Sequence, residues 1–385
     1  MSEIKVNSIK GVGASTAAIT VNNSDGTCTA NITNNLSNRN VIKNGAMQIA
    51  QRGYSFSGVS ATAYHLDRFQ LYIQNSSAAF AVSQNTDSPD GFGQSLKIDV
   101  STADTSIASN EEVRLFHKLE GFDVQRFLKG SSTAKRFTLS FYVKANKTGV
   151  YCVSLYDRDN NRDVSGSYTV SDTNWNRYTI DFPADTTGAF DNDNASSLEI
   201  TWWLVAGSAV QGGTLNTAWR TNVDASSATG QVNFADSTSN DWLLTGVQLE
   251  ATDNGKATDF EYIPYGQDLA LCQRYYYRWT AGAINRYLWQ GQSYSTTSCF
   301  GVIKEFPVTM RAVPTSTVSG SFIPYGDDGS TSGHSAFTTL TVDQNTVHSL
   351  ATGGWDGGSG IGGGGRCVVV RASAATDYID ASAEL

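Results

Sequence analysis

The segment GGWDGGSGIGGGG, residues 353–365, places Gly358, Gly360 and Gly363 at the GxGxxG spacing of a dinucleotide-binding loop. Such a loop must follow a strand and open a helix, so that backbone amides meet the pyrophosphate. Here it leads into RCVVVRA, a strand-like run, with no βαβ pattern around it, and the nucleotide reading is rejected. What remains is a loop with one aromatic, Trp355, and one carboxylate, Asp356. A flat ring can stack on a sugar, a carboxylate can accept from hydroxyls, and the glycines permit close backbone approach. Flexible filler is the alternative. The turn-rich IPYGDDGS offers a second set of the same kinds, Tyr325 with Asp327 and Asp328.

Other chemistry is thinner. His65, His117, His334 and His348 show no HxH or HxxxH spacing, and no GxSxG is present to seat a nucleophile. YDRDNNRD, residues 156–163, has the carboxylates of a calcium loop but lacks its glycine and late glutamate, so it reads as a solvated turn. Trp202 and Trp203 are adjacent, so a strand sends them to opposite faces. One belongs to a core. The other either packs beneath a loop, the favoured reading, or lines a sugar-binding face.

Composition limits the partners. The chain has 385 residues, 16% charged and 40% hydrophobic, with a net charge of −9. That balance argues against a nucleic-acid binder, which needs a basic footprint. No apolar run reaches the roughly 20 residues of a membrane span, and MSEIKVNSIKGVG has no signal-like apolar region. The five cysteines, Cys28, Cys152, Cys272, Cys299 and Cys367, are scattered and form neither a disulfide framework nor a zinc motif. Synthesis in a reducing cytoplasm is expected.

The elements that must position these groups are mostly strands. The 17 Tyr, 17 Phe and 8 Trp, beside many Thr and Val, favour β structure. RFTLSFYVKA alternates Phe137, Leu139, Phe141 and Val143 with Thr138, Ser140, Tyr142 and Lys144, the period-two pattern of a half-buried strand. Similar runs between Gly/Asn/Asp turns predict a β-sandwich or jelly roll over 40–263 and a second β domain over 281–385. Residues 1–39 lack the bulk for a core of their own and read as a disordered leader or as an anchor. Between the two β domains, QDLALCQRYYYRW places Leu269, Cys272, Gln273 and Tyr276 at helical spacing, a short peg within 264–280.

NRNVIKNGAMQIAQRG, AYHLDRFQLY, the run from HKLEGFDVQRF to GVYCVSLYD, and DWLLTGVQLEATDNGKATDFEYIPYGQDLALCQRYY follow in that order. The succession resembles the carbohydrate-binding-module-like jelly roll of bacteriophage tail fibres, especially of marine phages, and DYIDASAEL is similar to their terminal strand. The resemblance covers 40–280 well, and 281–375 only loosely. It implies a non-enzymatic virion protein, a homotrimer whose N-terminal segment meets other tail or baseplate proteins and whose tip binds a host-surface glycan or protein. Three copies of the peg would then meet on the axis through Leu269, Cys272 and Tyr276, and Trp355, Asp356, Tyr325, Asp327 and Asp328 would sit at the receptor-facing end. The competing readings are a peg packed on its own jelly roll, a purely structural collar, baseplate or head appendage, and a glycan depolymerase. No cofactor is expected, although fold analogy allows a structural calcium on Asp67, Asp241 or Glu250.

Overall fold

The computed structural model describes residues 6–13, 17–21, 24, 28–30, 37–284, 287–300, 303–325, 335–342, 344–351, 354–359 and 361–385. Near the start, β1 (Ser8–Ile9), β2 (Ile19–Val21) and β3 (Cys28–Ala30) pair antiparallel in a small sheet.

Two larger sheets follow. One runs in the order β13 (Asn176–Phe182), β10 (Arg136–Ala145), β16 (Asp241–Thr252), β8 (Ser95–Thr102), β7 (Ala79–Asn85), β4 (Ser55–Val59). The other runs β15 (Arg220–Thr221), β12 (Arg162–Val170), β11 (Gly149–Asp157), β14 (Ser196–Ala206), β9 (Glu112–Glu120), β6 (Phe69–Gln74), β5 (Ala63–Tyr64). Their inner faces share one core that extends from Val41 to Leu249 and includes Phe69, Phe80, Phe141, Trp202 and Trp242. This is the jelly-roll sandwich that the alternating runs predict.

β10 shows the rule and its modification. Phe137, Leu139, Phe141 and Val143 face the core as expected, but Thr138 and Ser140 on the opposite face are buried too. The chain after β16 covers them: Thr258 accepts from Arg177 and donates its amide to Glu250 at 2.8 Å, and Thr138 Oγ1 lies 2.6 Å from Thr252 Oγ1. Gly246, at φ +61°, lets β16 shift register against β10, and a Cβ there would meet Phe92 and Tyr142 at 2.8 Å.

The peg forms as α1 (Tyr265–Gln273), but Tyr276 is not its last helical turn. Instead Tyr276 opens β17 (Tyr276–Thr280), because three consecutive tyrosines favour an extended chain that can pair. The peg also packs on its own jelly roll. Asp268 accepts from the Asn44 amide at 2.9 Å, and Arg274 grips Glu120 through two contacts of 2.8 Å. Arg68 lies 3.4 Å over the Tyr275 ring and pairs with Glu384, while Arg52 lies 3.5 Å over Tyr276 and pairs with Glu384 at 3.0 Å. The proposed trimer contacts are corrected accordingly: Cys272 and Tyr276 are buried by their own chain, and only Leu269 remains partly accessible.

The second β domain has its own core around Phe306, Met310, Phe322, Phe337, Trp355, Val368, Val370 and Ile379. β17 pairs with β27 (Tyr378–Ser382), which also pairs with β21 (Thr315–Ser319). Beside them, β22 (Phe322–Tyr325), β26 (Cys367–Ala372), β18 (Tyr287–Ser293), β19 (Cys299–Phe300), β25 (Gly354–Asp356) and β23 (Thr339–Thr341) form a sheet, and β20 (Ile303–Glu305) pairs with β24 (Ser349–Ala351). Glu384 and Leu385, just past β27, reach back to the jelly roll, where Tyr64 and Lys118 donate to the Leu385 main-chain oxygen at 2.9 and 3.0 Å.

Candidate functional site

The residues chosen for receptor contact do not assemble. Trp355 is not an exposed loop aromatic; it is fully buried in β25, with its ring 5.8 Å from Phe322 and 5.3 Å from Phe337. Alternation sends its neighbour Asp356 to the solvent side, so the two cannot share a ligand. Gly358 packs the following turn close, with the space for a Cβ 3.0 Å from Phe337 and Pro324. The glycines therefore serve packing at that point. Tyr325 is half-buried beside Tyr287, 5.7 Å between rings, and Asp327 and Asp328 lie outside the described residues.

A different site forms on the outer face of the seven-stranded sheet, where alternate residues of five strands line up in cross-strand rows. Tyr72, Arg114 and Trp203 make one row; Phe116, Thr201, Ser154 and Ser165 a second; Lys118, Glu199, Tyr156 and Asp163 a third. The segment between β14 and β15, with its continuation through Asp224 and Ser227, forms a wall over part of this face. The result is a cleft of about 400 Å³ lined by Glu112, Arg114, Tyr156, Asp163, Glu199 and Asp224 among others.

Trp203 supports the floor from beneath. It is buried with Val210 and Ala228, and its Nε1 donates to Ser154 Oγ at 2.9 Å. Ser154 donates in turn to the Ser227 carbonyl at 3.0 Å, tying wall to floor. Trp202 is in the sandwich core, 5.8 Å from Phe141. Neither indole is an open platform; Tyr156, half-buried on the floor, is the accessible ring.

The charges in the cleft are unevenly satisfied. Arg114 pairs with Glu112 at 2.8 Å and lies between 4.6 and 4.8 Å over the rings of Tyr72, Phe116 and Trp203. Arg158 reaches Glu199 at 3.2 Å. Asp163 is different: it is 2% exposed, and neither carboxylate oxygen has a hydrogen-bond partner among the described residues. Asn216 donates to its carbonyl instead, and the Arg220 guanidinium stays 3.9 Å away. Burial pushes the carboxyls of Asp163 and Glu112 above their ordinary values. The arrangement offers acceptors and one ring face, the equipment for holding hydroxyl groups.

Glu112 and Glu199 were not singled out because they sit among buried positions of β9 and β14, and Tyr156 and Asp163 were read only as parts of a turn. The available signal was Glu199, Thr201 and Trp203 at i, i+2 and i+4. The reading of 156–163 as a solvated turn is also corrected. Asp157 is fully buried and accepts from the Lys129 ammonium at 2.5 Å, which also donates to the Thr187 and Gly188 carbonyls at 2.9 and 2.7 Å. A protein cation thus occupies this oxygen cage. Asp67, Asp241 and Glu250 engage Gln51, Lys97 and Thr258 respectively, and no group of three candidate ligands occurs among the described residues. None of the helices among those residues is long and apolar enough to cross a membrane.

No protein-family model and no curated protein matches the chain. Among solved structures, it is similar to a carbohydrate-binding module in complex with β-1,4-galactotriose, at 9% identity over 55% of this chain and 99% of that one, TM-score 0.29. It is also similar to the xylan-binding domain of a Paenibacillus barcinonensis protein, at 14% identity over 52% and 93%, TM-score 0.26. A family 11 carbohydrate-binding module of a Clostridium thermocellum cellulosomal cellulase matches at 10% identity over 51% and 95%, TM-score 0.27. Likeness this distant carries no argument about function, and the jelly roll stands on the strand order itself.

Proposed function

We propose that the chain is a non-catalytic attachment protein that binds host-surface glycan through the cleft on its seven-stranded sheet. The observation that carries this reading is Asp163, a buried carboxylate kept without partners beside the half-buried Tyr156 ring. An unmet buried acceptor costs stability, and a ligand that donates to it recovers that cost on binding. The resemblance to phage tail fibres supports a virion appendage as the setting. There the segment before Asn40 would meet a tail or baseplate partner and three copies would associate. Exposed Tyr265 and half-buried Leu269 on α1 are the surface left for that association. The test is retention of the purified full chain on immobilised host-envelope polysaccharide. Wild type is retained, Tyr156→Ala is not, and polysaccharide viscosity stays constant. Equal retention of the variant overturns the site, and falling viscosity overturns the non-catalytic reading in favour of a depolymerase.

One observation favours a purely structural collar, baseplate or head appendage instead. The Arg52, Arg68 and Glu384 junction rivets the two domains, as a load-transmitting part requires. Such a part would not be retained on any host polysaccharide.

A further inference from the structure

Resting on the glycan reading above, the geometry points to the class of glycan: we propose that the cleft accepts uncharged, hydroxyl-rich saccharides and excludes those bearing carboxylate or sulfate groups. Four carboxylates, Glu112, Asp163, Glu199 and Asp224, line it against two guanidinium groups, Arg114 and Arg158. Both cations are already committed, Arg114 to Glu112 at 2.8 Å and Arg158 to Glu199 at 3.2 Å. Arg220, just beyond, faces Asp163 at 3.9 Å and places its charge against that carboxylate. Within the lining an anionic ligand would therefore have to displace an existing ion pair to find a cation, and Arg220, whose Nε and Nη2 make no hydrogen bond, has its charge set against Asp163.

Unclaimed acceptors dominate the lining, with Arg114 Nε and, just beyond it, Arg220 Nε and Nη2 as the buried donors that also lack a hydrogen bond. Asp163 offers two buried oxygens with no well-formed hydrogen bond, the Asn216 amide and the Val223 N–H standing nearby, and Asp224, exposed on the wall, receives one bond from Asn222 at 2.7 Å. Ionised carboxylates accept only, so their complement is a ligand that donates. Neighbouring hydroxyls on a sugar ring supply such donors, and Tyr156 presents an apolar face for the ring. A uronate or sulfate ester would bring acceptors to acceptors and like charge to a site of net negative charge.

Carboxylate–hydroxyl contacts are charge-assisted, so losing one weakens binding about tenfold. The experiment compares the full chain on neutral galactan, xylan and mannan with polygalacturonate and a sulfated galactan, at fixed ionic strength. Retention on at least one neutral polymer, none on the anionic ones, and about tenfold weaker neutral binding by Asp163→Asn are expected. Asp224→Lys, a change at an exposed position, should raise retention on polygalacturonate. Preferential binding of the anionic polymers, abolished by Tyr156→Ala, would overturn this selectivity while leaving the glycan reading standing. Failure to bind any polymer of either class would overturn both.

Discussion

Replacing Asp163 by Asn should make the protein more stable and a poorer binder at the same time. The wild-type carboxylate is 2% exposed and makes no well-formed hydrogen bond, and the nearby Asn216 amide and Val223 N–H offset only part of its burial. Leaving a buried polar group unpaired costs about 1–3 kcal/mol, more when it is charged. Asn keeps the shape and removes the charge. Against this stands Arg220, which loses its nearby anion, but its side chain is 38% exposed and water takes over much of that role. A net gain of about 1–2 kcal/mol at pH 7 follows, or roughly 2–8 °C in the melting temperature of the jelly roll. The pH dependence fixes the cause. Because burial raises the folded carboxyl above its unfolded value, the native state holds this proton more tightly. Wild-type stability therefore recovers as pH falls through the raised value, and the advantage of Asp163→Asn shrinks with it. Scanning calorimetry at pH 7 and pH 4.5, with parallel glycan titrations, reads both halves. A variant that melts lower than wild type at pH 7 would refute the reasoning, since the carboxylate would then be a satisfied structural group.

Other perturbations test other parts of the account. Burial lowers the His65 imidazole to about 4 and that of His117 well below its usual value, so both stay neutral in the native state while the unfolded chain takes up protons. Their contribution is complete above the unfolded value near 6.5 and is lost as pH falls below it, about 2 kcal/mol for each histidine by pH 5; denaturant melts at pH 7 and 5 check this, and His65→Phe should remove part of the slope. Trp355→Ala should cost about 3–5 kcal/mol in the second β domain and leave glycan binding unchanged; an unaltered thermal transition would mean that the ring is not core. Lys129→Met should destabilise the jelly roll by about 3–5 kcal/mol, because the buried Asp157 would lose its counter-charge while Asp185 keeps only Arg162; a near-neutral denaturation midpoint would contradict the cage.

The sandwich was legible because β10 and its neighbours carry the period-two pattern with unmistakable apolar faces. That pattern reports which residues point inward along one strand. It does not report which outward residues a later segment covers, and so Thr138 and Ser140 gave no hint of the chain that crosses them at Thr258. The helix was legible from Leu269 and Cys272, but its end was not. Tyr276 was placed on the helix by spacing, whereas the β-favouring aromatic run and pairing with β27 put Tyr276 to Thr280 in a strand. Trp355 failed for a related reason. Flanking glycines suggest exposure, yet β25 pairs with β19 and β23, and pairing turned the ring into the domain core. The cleft depends on five strands, most of them distant in sequence, meeting in register. Glu112, Asp163 and Glu199 are ordinary polar positions until β9, β12 and β14 place them on one face.

The central claim is that glycan is held on the jelly roll's seven-stranded sheet and not on the second β domain. Diffraction from crystals of the full chain, soaked with the neutral oligosaccharide that binds it best, tests this most directly. Ligand density is expected against the Tyr156 ring, with sugar hydroxyls within hydrogen-bond distance of Asp163. Density in the groove of Phe306, Thr309 and His348 on the second domain, with the cleft empty, would contradict it.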